Sequence, residues 1–182
     1  FPYTVFFVDE GESNDDYGII SGEIVKRGTI VVITNDFDSD DTANVVQSLS
    51  LIESIVDLMS TINSTNNLIP SSFGNIDLNH WGVSGHGVGA AVAYSVFPFW
   101  PESELSANIQ PPRSLFGLGI DFSGWAEGDG WSNIKPESWS IDPATPATGL
   151  FMTGTVDEIA RGQDNLPAVS YTHLRAHETV VY

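Results

Sequence analysis

Cysteine is absent from this 182-residue chain. Disulfides and thiolate metal sites are therefore excluded, and cysteine gives no guide to redox compartment. Positive charge is almost as scarce, with 6 Lys and Arg against 24 Asp and Glu and a formal net charge of −18. Nucleic acid and anionic membranes both call for a basic surface, so neither is an expected partner. No apolar run is long enough to span a bilayer. The Gly-x-Gly-x-x-Gly fingerprint of a dinucleotide site follows none of the candidate strands, and no cofactor is expected. Asp36, Asp38 and Asp40 begin like a calcium loop, but Asp41 stands at its sixth position and Gln47 at its twelfth. Calcium loops need Gly and Glu there, so a solvated acidic turn is the better reading and no metal is expected. The acidity as a whole reads as a solvated surface suited to salt-rich surroundings, where salt screens self-repulsion.

The chain is long enough for one domain with a real core, and 41% of its residues are hydrophobic. Pro2 to Val8 is a near-continuous apolar run of the kind found in buried parallel strands. Tyr17, Ile19, Ile20, Ile24 and Val25 fall roughly at helical spacing, and Lys26-Arg27-Gly28 closes that helix. Thr29 to Thr34 is a β-branched strand, which completes a βαβ unit. From Val45 to Ile62 apolar residues mark a long amphipathic helix, with a loop expected from Asn63. Further strands are expected near residues 80–84, 114–120 and 149–153, with an irregular break at Phe97 to Pro101. Residues 123–147 are rich in Gly, Trp, Ser and Pro; Trp125, Trp131 and Trp139 suit a pocket lining or plain packing equally well. Asn63-Ser64-Thr65 matches a glycosylation sequon, which is uninformative without a source. Strands alternating with helices point to an α/β fold with a mostly parallel sheet covered on both faces.

Gly85-His86-Gly87-Val88-Gly89 carries the chemistry. It lies between a short strand, Trp81 to Ser84, and a small-residue helix that begins with Ala90 and Ala91. Strand, tight turn and helix form the context of a nucleophile elbow, Gly-x-Ser-x-Gly. Gly85 and Gly89 match the outer glycines, but Gly87 stands where the serine belongs. A second register would make Ser84 the nucleophile. It is disfavoured because it puts His86 where the last glycine lets helix and strand pack closely. A plain glycine-rich turn is the bland alternative, and other segments weigh against it.

Gly82-Val83-Ser84-Gly85-His86 resembles the elbow of α/β-hydrolases of the dienelactone hydrolase, chlorophyllase and cutinase-like group, where the stretch commonly reads like IGVSGHSMGG. The resemblance implies a three-layer α/β-hydrolase fold, incomplete at both ends. It implies a triad acid after a late strand, and Leu150 to Ile159 carries Asp157 at that position; the bland alternative is a solvated loop aspartate. It implies an oxyanion site made by two backbone N–H groups, one from Val88 and one from the loop after the first strand. In that loop Val8-Asp9 replaces the usual His-Gly pair and Glu10 takes the donor position, so carboxylates stand beside a developing oxyanion. The triad histidine should follow the acid, where only His173 and His177 occur. His86 is no substitute; it is expected to pack beside the turn.

Residues 169–179 resemble a sequencing adapter of the transposase type translated in frame. On that reading residues 1–168 are a single α/β-hydrolase-like domain, present as a fragment, and 169–182 are a non-native tail. Those two histidines then carry no function. Three functional expectations follow. The first is an α/β-hydrolase relative of carboxylic-ester hydrolases that no longer hydrolyses and binds a small hydrophobic or ester-like ligand. The second is a working carboxylesterase or cutinase-like hydrolase whose sequence is truncated or corrupted, for example at a serine codon one base from glycine. The third is a structural or interaction domain of an acidic, salt-adapted protein.

Overall fold

The computed structural model describes residues 1–9, 11–35, 45–65, 75–119 and 148–152. Five strands form one sheet: β1 (Tyr3–Phe7), β2 (Ile30–Thr34), β3 (Trp81–His86), β4 (Ser114–Leu118) and β5 (Thr148–Met152). Their order is β2-β1-β3-β4-β5, and every neighbouring pair is parallel. The five strand expectations are thus met, with boundaries moved by one or two residues.

Period-two alternation sorts the strand side chains onto two faces. Tyr3, Val5 and Phe7 of β1 join Trp81 and Val83 of β3 and Leu115 of β4 on one face. That face is covered by α2 (Val45–Ser64) and α3 (Gly87–Phe99), which add Ile52, Val56, Ala90, Ala93 and Tyr94. The aromatic rings of Tyr3 and Trp81 stack at 5.8 Å, and Trp100 meets Trp81 edge-on at 5.0 Å. On the opposite face Phe6 and Val8 pack with Tyr17, Ile20, Val31 and Ile33 beneath α1 (Gly18–Val25). Helices on both faces of a parallel sheet make the three-layer α/β architecture.

Four local expectations are corrected. Tyr17 lies not in α1 but in the 3-10 turn before it, Asn14–Tyr17, where its ring is buried. Ile19 is 86% exposed and Val25 54%, so only part of the apolar stripe on α1 faces the sheet. The long helix α2 continues through Ser64, because Asn63 Oδ1 accepts from the Ile76 N–H at 2.8 Å and ties the helix end to the following segment. Likewise α3 runs through Phe99 and passes directly into a 3-10 turn, Trp100–Glu102, where a break was expected. Burial of Phe97 and Trp100 in the α2/α3 core holds this segment helical despite its prolines.

Candidate functional site

The carboxyl ends of parallel strands are where open α/β sheets collect ligands, and β1 and β3 lie side by side there. β3 ends at His86 and α3 begins at Gly87 without an intervening loop. Gly87 has φ +52°, in the left-handed region that favours glycine. The outer glycines permit the tight turn in another way. A Cβ on Gly85 would overlap the backbone of Gly89, and one on Gly89 would overlap the carbonyl oxygen of Val8. Helix and strand could not approach this closely with larger residues at those positions.

Ser84 lies within β3, two residues before the strand ends. It is buried, its hydroxyl donates to the Val5 carbonyl at 3.2 Å, and it lies 3.2 Å from the hydroxyl of Thr4. Interior hydrogen bonds inside the sheet therefore occupy Ser84.

Four groups converge around Gly87. Val88, the second residue of α3, donates its N–H to Asp9 Oδ1 at 2.9 Å. Asp9 donates its own N–H to the Tyr17 phenolic oxygen at 3.1 Å. Tyr17 Oη lies 2.9 Å from His86 Nδ1, and the two rings are tilted at 5.9 Å. His86 Nδ1 is 3.8 Å from Asp9 Oδ2, with the two side chains 40% and 30% exposed. Burial holds the Tyr17 hydroxyl above its ordinary range; the Asp9 N–H opposes that shift, and nearby Asp9, Glu12 and Asp16 add to it. The phenol therefore stays neutral here.

Of the residues singled out in sequence, Gly87 and Val88 are brought together at the turn, and His86 packs beside it as expected. Glu10 and Asp157 lie outside the described residues, as do the Asp36–Asp40 turn, Trp125, Trp131, Trp139 and the tail. Sequence reasoning missed two participants. Tyr17 was counted only as an apolar helix residue, although its hydroxyl links Asp9 to His86. Asp9 was read as a nearby charge, whereas its carboxylate contacts Val88 directly. One more pattern went unread: Gly85-x-Gly87-x-x-Ala90 is the looser, alanine-ended form of the dinucleotide fingerprint. A pyrophosphate at this helix N-terminus would need the amide that Asp9 holds and would meet its negative charge. Among the described residues no group of three or more His, Asp or Glu is placed to hold a metal ion, and no helix is long and apolar enough to cross a membrane.

No family profile matches the chain, and no curated protein matches it in sequence. Solved structures do match in shape. An inhibited esterase B from Lactobacillus rhamnosis is 14% identical with a TM-score of 0.46, over 73% of this chain and 44% of the esterase. A fungal esterase from Rhizomucor miehei is 14% identical with a TM-score of 0.43, over 72% of this chain and 39% of its own. The RedJ thioesterase of the prodiginine pathway of Streptomyces coelicolor is 18% identical with a TM-score of 0.38, over 79% and 50%. The chain thus spans half or less of the length of each.

Proposed function

We propose that this chain is an α/β-hydrolase-fold relative of carboxylic-ester hydrolases that does not hydrolyse esters and keeps the elbow as a site for a small hydrophobic or ester-like ligand. The observation that carries the reading is Gly87 at the junction of β3 and α3, with φ +52° and no side chain to attack a carbonyl. Gly87 is the substituted nucleophile position, Val88 and Glu10 stand at the oxyanion backbone positions, and Asp157 at the acid position. Loss of a triad nucleophile removes about six orders of magnitude in rate and leaves only what binding and oxyanion contacts supply. The bonds that Ser84 makes inside the sheet support the same register, because they hold its hydroxyl away from the turn.

The experiment is hydrolysis of p-nitrophenyl esters together with labelling by a fluorophosphonate. Neither turnover above background nor a labelled residue is expected. Gly87→Ser alone should also stay inactive, since, with residues 169–182 read as a non-native tail, no base histidine follows Asp157. Labelling of Ser84 would overturn the reading and move the elbow by three residues. The competing reading, a working esterase with a misread codon, predicts a serine codon at position 87 in the gene and a catalytic histidine downstream.

A further inference from the structure

Resting on the reading of Gly87 as an elbow that does not hydrolyse, we propose that Asp9 determines what this elbow can hold: its carboxylate fills the space of the absent nucleophile and occupies the amide that would polarise a substrate carbonyl. Asp9 and Gly87 are then a coupled pair, in which the glycine makes room for the carboxylate.

Two independent geometric facts support this. A Cβ built on Gly87 would overlap all three carboxyl atoms of Asp9 and no nearer group. The same carboxylate accepts the Val88 N–H at 2.9 Å, and Val88 is the residue after the elbow position. One side chain therefore blocks both the attacking atom and the oxyanion contact. An N-terminal helix amide favours a negative acceptor, and here the acceptor is part of the chain.

Asp9 is also held in place, although 30% of its side chain is exposed. Its N–H donates to Tyr17 Oη at 3.1 Å, and its carbonyl accepts the Glu12 N–H at 3.2 Å. The residue before it is fixed by the Val8 N–H donating to the Thr34 carbonyl at 3.1 Å. His86 Nδ1 lies 3.8 Å from the second carboxylate oxygen. Backbone bonds on both sides aim the side chain at α3. A carbonyl or an anion can reach Val88 only by displacing it.

The test is a double-mutant cycle in urea on the full chain: the parent, Gly87→Ala, Asp9→Ala and the double variant. Alanine at 87 meets the left-handed backbone in both backgrounds but meets the carboxylate only in the parent. Gly87→Ala should therefore raise the unfolding equilibrium constant more in the parent than in the Asp9→Ala background, by a factor of about three or greater. Equal factors in the two backgrounds would overturn the proposal. If Gly87→Ala does not fold, the Val88 amide gives the second measurement. In Asp9→Ala its proton resonance should move upfield and its exchange with solvent quicken; an unchanged Val88 amide would overturn the proposal just as well. Neither measurement reads hydrolysis. Ester turnover with intact coupling would sink the proposed function alone, and lost coupling without turnover would sink only the role of Asp9.

Discussion

Tyr17 Oη and His86 Nδ1 lie 2.9 Å apart across 69 positions of sequence. The bond joins the turn before α1 to the last residue of β3, so the layer on one face of the sheet is tied to the turn that starts α3 on the other. The same hydroxyl accepts the Asp9 N–H, which makes Tyr17 the common support of both residues that flank Gly87.

Tyr17→Phe keeps the buried ring but deletes both bonds. The Asp9 N–H then loses its acceptor in a partly buried setting. Stability should fall by about 1–2 kcal/mol, read as a lower urea midpoint with an unchanged m-value. No loss would mean that solvent replaces the hydroxyl without cost.

Alkaline pH should unfold this protein through its buried phenols. Tyr3, Tyr17 and Tyr94 are all raised above the ordinary tyrosine value of 10.0, in each case chiefly by burial. A folded-state value above the unfolded one means that the folded chain binds the proton more tightly. Their contribution is fully present below pH 10.0 and is lost as pH rises through the higher folded values. Circular dichroism across that limb should show unfolding coincide with tyrosinate absorbance, and Tyr94→Phe should shift the limb to higher pH.

Tyr3→Phe is expected to be neutral or stabilising, by up to ~1 kcal/mol. Among the described residues the buried Tyr3 hydroxyl has no hydrogen-bond partner, while its ring stacks on Trp81. Deleting an unsatisfied polar atom and keeping the stack removes a desolvation cost. A fall in thermal midpoint would reveal a partner for that hydroxyl.

Gly89→Ala should be among the most damaging single-methyl additions. The new Cβ would overlap the carbonyl oxygens of Val8 and Phe7, which are backbone atoms that cannot swing aside. About 1–3 kcal/mol is the usual range for forced overpacking, and soluble expression with an unchanged melting curve would refute the close approach.

Much of the sheet was legible in the sequence because parallel strands buried on both faces read as continuous apolar runs. Pro2–Val8 and Thr29–Thr34 are such runs, and they became β1 and β2. Element ends were less legible. Asn63 looked like the start of a loop by its residue type, but its side chain accepts from Ile76, a contact thirteen positions away that local pattern cannot reveal. Pro98 and Pro101 suggested a break, but packing of Phe97 and Trp100 outweighed local propensity. At the site, glycine spacing placed the turn correctly. The acidic loop announced a charge near it, yet not that Asp9 would point at Val88. That depends on the backbone bonds that hold residues 8 and 9, which arise from the pairing of β1 with its neighbours and from Tyr17.

The strand order has a consequence for synthesis. β1 is made before both of its neighbours yet ends up between β2 and β3, with Phe6 opposite both Ile33 and Ser84. A chain emerging from the ribosome can pair β1 with β2 early, but the other edge of β1 stays open until Trp81–His86 has been made. Tyr3, Val5 and Phe7 are thus on an unpaired, apolar edge while more than forty further residues are added after Thr34. Long-range parallel pairing of this kind is slow, and an open edge invites pairing with another chain. Yield of folded protein should therefore depend on how quickly β3 arrives, and hence on translation speed across the segment that precedes it.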